Sequence, residues 1–287
     1  IRHLHVHFAN PAANVALLVK KLFAVPYSLT VHGPDIFDDV TLNRLKVKFE
    51  SAAFILAISA YAKSQVMKII EPRFWQRITV ARLGVDPERY QAKPFRGEPS
   101  PFELLNVGRL VPAKGQQILI EAVKCLKDSG FDLRLRLIGD GPLRLWLQNR
   151  VKALKLEKYV IFEGALGEEE TLIAYRRADI FVLPSFSEGL PVVLMEAMAS
   201  EIPCVATQIT AVSELIRHQV DGLLVPAGDE KLLAAAIKKL VCDAELRYEM
   251  GKAARHKVLE SYHLTRNTEK VAAIFDERIK KIPESCS

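Results

Sequence analysis

The feature of this chain that most restricts its fold is an alternation, sustained along its length, of short apolar runs with longer segments of helical spacing. "LHVHF" (4–8) and "YSLTVHG" (27–33) flank "AANVALLVKKLF" (12–23). "FILAIS" (54–59) stands between "LNRLKVKFESAA" (42–53) and "AYAKSQVMKII" (60–70), and "RITVARLGVD" (77–86) follows. This rhythm predicts an α/β fold in which parallel strands are covered by helices. It restarts more regularly further on, with strands expected at 102–108, 133–139, 159–164, 179–185, 203–207 and 221–227. Helices are expected near 115–128, 142–154, 168–177, 190–199, 211–217, 229–241 and 245–260, and a last one at 265–282 carries Val271, Ile274, Phe275 and Ile279 on one side. Between the halves, "YQAKPFRGEPSPFE" (90–103) holds Pro94, Gly97, Pro99 and Pro101 and reads as a linker. The expected domains are therefore 1–97 and 98–264.

With 287 residues the chain is long enough for two cores, and 49% apolar with 26% charged residues is ordinary globular composition. No run approaches the roughly 18 apolar residues of a membrane span, and the start lacks a signal-peptide pattern. Ile1 opens the chain without a methionine, so an upstream segment is expected to be missing. The cysteines at 125, 204, 242 and 286 have no metal or redox spacing and fit a reducing cytoplasmic compartment. No histidine or Cys/His cluster suggests a metal. Residues 1–95 hold 13 Lys/Arg against 7 Asp/Glu, which accounts for the whole net charge of +6 and points to an anionic partner such as phospholipid or an acidic acceptor. No RNA-binding signature or zinc-finger spacing supports nucleic acid.

Four stretches carry residue types suited to chemistry. "NVGRLVPAKG" (106–115) joins a strand to a helix with Gly108, Arg109, Lys114 and Gly115, a combination that can cradle phosphate through free N–H groups and two cations. It is neither a P-loop nor a dinucleotide fingerprint, and a plain turn with two solvated cations explains it equally. "IGDGPL" (138–143) offers a tight turn at Gly139 and Gly141, with Asp140 as a helix cap and Pro142 in the first turn. "FSEGLPVVLMEAMAS" (186–200) places Glu188, Gly189 and Leu190 just before a helix whose first position suits Pro191, with Glu196 two turns on. The two acids are then about 8–12 Å apart along the axis, too far to share one proton and better suited to gripping two parts of an elongated ligand. A buried carboxylate without a partner is costly, so Glu196 calls for one. "TVHGPD" puts His32 at a strand end with Gly33 and Asp35 beside it, and His5 and His7 share a strand face without making a metal site.

In this order the stretches "VGRLVPAKG", "IGDGP", "VIFEG", the Glu188–Glu196 spacing and "DGLLVPAGD" resemble the group 1 retaining glycosyltransferases of GT-B fold. "AISAYAKSQV" and "RLGVDPERY" look closest to exopolysaccharide enzymes of the colanic-acid type. The resemblance covers nearly the whole chain and is strongest over 102–260. It implies two Rossmann-like domains facing a central cleft, the first on the acceptor side and incomplete, the second binding a nucleotide-sugar donor, with the terminal helix crossing back to the first. By the same likeness Arg109 and Lys114 hold the donor diphosphate and Glu196 the ribose. Glu188 sits by the donor sugar, Gly108, Gly189 and Leu190 offer backbone contact, and segment 160–164 with Phe162 frames the base. His32 matches a crevice histidine and Asp35 its neighbour. Such enzymes usually begin with a strand and glycine-rich loop about 80–120 residues before "LHVHF", so the chain is expected to be a fragment or truncated product with exposed sheet edge.

The reaction implied is transfer of a sugar to a hydroxyl on a glycan or lipid-linked saccharide with retention, Arg109 and Lys114 neutralising the leaving diphosphate and His32 and Glu188 near the reacting sugar. No cofactor beyond the donor and no metal is expected. A cytoplasmic location follows, with peripheral contact at the inner face of an anionic membrane through the basic first domain. Two other readings stay open: a different sugar-nucleotide enzyme, such as an epimerase or a phosphorylase relative, and a truncated, non-catalytic nucleotide-sugar-binding or assembly protein.

Overall fold

The computed structural model describes residues 1–33, 36 and 44–282. It divides into two compact units, Ile1–Gly84 with the segment from Leu264 onward, and Val85–His263. Asp35 lies outside the described residues.

In the first unit, strands β1 (Leu4–His7), β2 (Tyr27–Val31), β3 (Ile55–Ala57) and β4 (Ile78–Val80) form one parallel sheet in the order β1-β2-β3-β4. Every residue of β2 and β3 is buried, as expected of strands covered on both faces. Helix Pro11–Phe23 starts where the Asn10 side chain accepts the Ala12 amide, with Pro11 at its first position, and Ser59 caps Ala60–Ile69 through the Ala62 amide. Lys48 is fully buried, and its side-chain nitrogen donates to the carbonyls of Ala9 (2.6 Å) and Asn10 (3.0 Å). The closing helix, Leu264–Lys280, packs Val271, Ile274 and Phe275 against Phe54, Leu56 and Ala81, and Asn267 donates to the Leu83 carbonyl. The segment expected as a strand over 77–86 is shorter because only Ile78–Val80 find partners on β3.

The second unit has a six-stranded parallel sheet built from β5 (Phe102–Val107), β6 (Leu133–Ile138), β7 (Val160–Gly164), β8 (Ile180–Leu183), β9 (Cys204–Thr207) and β10 (Leu223–Val225). Their order is β10-β9-β8-β5-β6-β7. From β5 the chain winds outward through β6 to β7; it then returns to β8 on the other side of β5 and winds the opposite way. The loops leaving the carboxyl ends of β5 and β8 therefore diverge, and a doubly wound sheet of this order opens its crevice there. The core beneath is aliphatic, with Leu104, Leu135, Leu137, Ile180, Val182 and Val205 from the strands and Leu119, Val123 and Ile237 from the helices.

The break between units falls at Gly84/Val85, not at 97/98, and residues 85–97 belong to the second unit. Arg89 pairs with Glu168 and Glu169, Lys93 donates to the Ala178 carbonyl and pairs with Asp179, and the buried Arg247 donates to the Gly97 carbonyl. Proline and glycine here mark the lack of regular secondary structure, not the lack of anchoring.

Two glycines bring the crevice loops together. Gly139 has φ +129°, and a Cβ on it would lie 2.1 Å from the Gly108 carbonyl oxygen; Gly115 has φ +64°, and its Cβ would lie 2.1 Å from that of Pro184. Neither contact can be relieved by rotating a side chain, since the obstacle is backbone. Gly139→Ala is expected to lower unfolding stability by about 3 kcal/mol through combined strain and clash, read as a shift in the urea midpoint. An unchanged midpoint would mean the loop after β6 is not packed on the loop after β5 as described.

Candidate functional site

The crevice of the second unit is lined by the loops that follow β5, β6 and β8. Leaving β5, the chain passes Gly108 and Arg109, makes a single 3-10 turn at Pro112–Lys114 and enters helix Gln116–Asp128 through Gly115. Leaving β8, it passes Ser185 to Leu190 and enters helix Val192–Ala199. The Phe186 amide donates to the Ala113 carbonyl at 2.7 Å, which ties the two loops by backbone. Side chains tie them as well: the Lys114 ammonium donates to Glu188 Oε1 at 2.6 Å, and the buried Ser185 hydroxyl donates to the same oxygen at 2.7 Å. Glu188 is 6% exposed, so its partners are one cation and one hydroxyl of the protein, with little room for water. Its other oxygen accepts no hydrogen bond among the described residues.

Arg109 is exposed at the mouth of the crevice, and its guanidinium makes no hydrogen bond or ion pair with a described residue. Its carbonyl is held by Gln116 Nε2 at 3.0 Å. Pro191 is extended (φ −72°, ψ 110°) and precedes the helix instead of opening it, so the helix starts at Val192. The Gly189 and Leu190 amides donate to no carbonyl among the described residues. The two loops that follow β5 and β8 thus carry two cations, a carboxylate and amides with no carbonyl partner among the described residues, residue types able to bind a diphosphate together with a polar group beside it.

Asp140 does not cap the helix that follows. Its carboxylate accepts from the Gly141 amide (2.7 Å) and pairs with Arg144 (2.7 Å), and helix Arg144–Ala153 begins after Leu143 without a side-chain cap. The Gly141 amide, and with it the Arg144 guanidinium, holds the Asp140 carboxyl below its usual range. Phe162 lies in the edge strand β7 opposite Leu137 and packs against the core, which leaves main-chain groups of 160–164 as that segment's means of contact.

Glu196 has partners that the sequence did not announce. The Tyr90 hydroxyl donates to Oε1 and the Tyr175 hydroxyl to Oε2, each at 2.8 Å. Tyr175 belongs to helix Glu168–Arg177, whereas Tyr90 comes from the proline- and glycine-rich segment whose sequence reads as a linker. Neither tyrosine nor Ser185 stood out in the sequence; for Ser185 the available signal was its position three residues before Glu188.

His32 lies in the first unit, just beyond β2, and its Nε2 is 2.9 Å from His7 Nδ1. It ends a row formed by His5 and His7 on one face of β1 and by His3 just before that strand. His3 and His5 both reach the Ser28 hydroxyl at 2.7 Å, and His5 also reaches Thr30 at 2.9 Å. Phe275 packs edge-on to His5, and Phe54 stacks on His3. Among the described residues no group of three or more His, Cys, Asp or Glu side chains is placed to hold a metal ion, and no helix is long and apolar enough to cross a membrane.

A family model described as "Glycosyl transferases group 1" matches residues 90–257. WcaL of Escherichia coli, whose name assigns it to colanic acid biosynthesis as a glycosyltransferase, is 32% identical over 272 residues, covering 90% of this chain and 66% of its own. The amylovoran biosynthesis glycosyltransferase AmsK of Erwinia amylovora is 33% identical, covering 83% of this chain and 60% of its own. The chain thus spans under two thirds of the length of these relatives. Among solved structures, HepE of Anabaena in complex with UDP-glucose superposes with a TM-score of 0.82 at 20% identity, over 96% of this chain and 79% of that one. Sucrose-phosphate synthase of Thermosynechococcus elongatus gives 0.84 at 19% identity, over 98% and 74%. These structural likenesses are of fold, and they are to GT-B glycosyltransferases.

The histidine row sets a pH dependence. Burial, then repulsion from His7, His3 and His32, lowers His5 from its ordinary 6.5 to about 4, and burial lowers His3 as well. As pH falls from about 6.5 the unfolded chain takes up the His5 proton before the folded one does. The stability contributed by neutral His5 is therefore complete above 6.5 and lost progressively down to about 4. The urea midpoint is expected to fall across that window, and less steeply in His5→Gln; equal slopes in the two proteins would contradict the assignment.

Proposed function

The chain belongs to the group 1 glycosyl transferases, and on that basis we propose that it moves a sugar from a nucleotide diphosphate sugar to a hydroxyl acceptor with retention of anomeric configuration. The observation that carries this reading is the Lys114–Glu188 pair that joins the loops after β5 and β8, with the exposed Arg109 on the first loop and the Gly189 and Leu190 amides on the second. Arg109 and Lys114 neutralise the diphosphate as the bond from its oxygen to the anomeric carbon breaks and the electron pair leaves with it. The new bond forms from that carbon to the acceptor oxygen, whose proton departs. These two cations supply the charge that a metal ion would otherwise bring, and no cofactor is assigned.

In this reading the unoccupied oxygen of Glu188 accepts from a hydroxyl of the donor sugar. Glu196 accepts from the ribose, Gly108 allows close backbone approach, and the main chain of 160–164 around Phe162 frames the base. His32 keeps the hydrogen-bonding or proton-handling role that the family resemblance gives it. No side chain is assigned as a covalent nucleophile. Relatives named for colanic acid and amylovoran biosynthesis support a saccharide or lipid-linked saccharide as acceptor. The basic first unit, with Val15, Leu18, Leu22 and Phe23 exposed beside Lys21 on one helix, supports contact with anionic lipid at the inner face of a membrane and a cytoplasmic location.

The test is calorimetric titration with UDP-, GDP- and ADP-sugars, run in parallel on R109A/K114A. One donor is expected to bind, and the double variant to lose about 100-fold in affinity, the loss of two charge-assisted contacts. Turnover with an acceptor should give a product whose anomeric proton signal matches the donor's configuration. Failure of a folded wild-type chain to bind any donor would overturn the reading; binding without turnover across acceptors would favour a nucleotide-sugar-binding protein.

A further inference from the structure

Glu196 is half-buried on helix Val192–Ala199 and pairs with no cation among the described residues; two neutral phenols hold it instead, one on each oxygen, at 2.8 Å. Tyr175 is fully buried, Tyr90 nearly so, and their rings meet edge to face at 5.9 Å. Burial, then the charge of Glu196 itself, raises both phenols far above their ordinary range, so both stay protonated and both donate. The frame around them is anchored: Arg255 donates to the Tyr90 carbonyl at 2.7 Å, and Arg89 next to it pairs with Glu168 and Glu169 at the start of the helix that carries Tyr175.

An ionised carboxylate has about four acceptor positions, two on each oxygen. The tyrosines take one from each and leave one on each, which is the number that two adjacent hydroxyls need. A free glutamate has three side-chain torsions to immobilise before it can receive such a pair; one already fixed at both oxygens avoids that cost. We propose that Tyr90 and Tyr175 are positioning residues that set the Glu196 carboxylate to accept both hydroxyls of a ribose, and so make this chain discriminate ribonucleotides from deoxyribonucleotides. The proposal rests on the reading of Glu196 as the ribose acceptor. It gives residues 85–97 a part in donor selection, although they carry none of the groups that touch the nucleotide.

The experiment measures dissociation constants for UDP, GDP and ADP and for dUDP, dGDP and dADP, taking the base that binds tightest. Wild type is compared with E196Q, Y90F, Y175F and the double tyrosine variant, with thermal melts run on each. The wild type is expected to prefer the ribonucleotide by about tenfold or more, as loss of a hydrogen bond to a charged group predicts. E196Q should bring that ratio close to one, and each tyrosine variant should lower it by about threefold while leaving binding of the deoxyribonucleotide unchanged. If E196Q collapses the ratio but Y90F and Y175F keep the wild-type value, the tyrosine inference is overturned and the Glu196 reading stands. If E196Q itself leaves the ratio unchanged, or the folded wild type binds no nucleotide, the Glu196 reading fails and takes the inference with it. Y90F, at the less enclosed position, keeps the test decisive should Y175F fail to fold.

Discussion

The reversal of strand order between β5 and β8 is the constraint on which the rest of the second unit depends. A parallel sheet wound in both directions cannot close over the ends of its two central strands, and whatever follows those strands faces a crevice. Here the loop after β5 brings Arg109 and Lys114, and the loop after β8 brings Ser185 and Glu188. The Lys114–Glu188 contact joins residues 74 positions apart in the chain. It does at the level of side chains what the Phe186–Ala113 and Gly115–Pro184 contacts do at the level of backbone. Breaking one partner of such a pair would leave a nearly buried charge uncompensated, which is why the geometry of the two loops and the charge of the crevice are one problem.

The two glutamates of 186–200 solve different problems. Glu188 is stabilised by a cation and a hydroxyl on one oxygen and has the other to offer. Glu196 accepts from a neutral phenol on each oxygen in a half-buried setting. An acid paired with lysine shares its field with any phosphate that arrives, whereas an acid paired with phenols remains an acceptor for neutral hydroxyls. The chemistry of a nucleotide diphosphate sugar, anionic in the middle and polyhydroxylated on both sides, matches this division.

Much of this was legible in the sequence, for reasons that can be named. The strands and their turns could be read because apolar runs ending in glycine leave few alternatives, and Gly108, Gly139 and Gly115 stand where backbone meets backbone. Arg109, Lys114, Glu188 and Glu196 could be singled out because charged residues around apolar strand ends need a reason. Partners could not be read: which carboxylate meets Lys114 depends on β5 lying beside β8, and local periodicity carries no information on that. Tyr90 was hidden for a different reason. Its neighbours are prolines and a glycine, which correctly signalled irregular backbone but said nothing of Arg255, Arg247 and Lys93 holding that backbone in place. His3, near the start of the chain and carrying no sequence signal of its own, stacks on Phe54 with its ring plane parallel to within 1°.

The central claim is that the crevice at the β5/β8 switch receives the diphosphate of a nucleotide, and hydrogen–deuterium exchange of the intact chain with and without a saturating nucleoside diphosphate tests it most directly. The account predicts that slowed exchange concentrates in amides of 108–116 and 185–193, with smaller effects along 160–164. Protection confined to other parts of the second unit, or to the first unit, would contradict it.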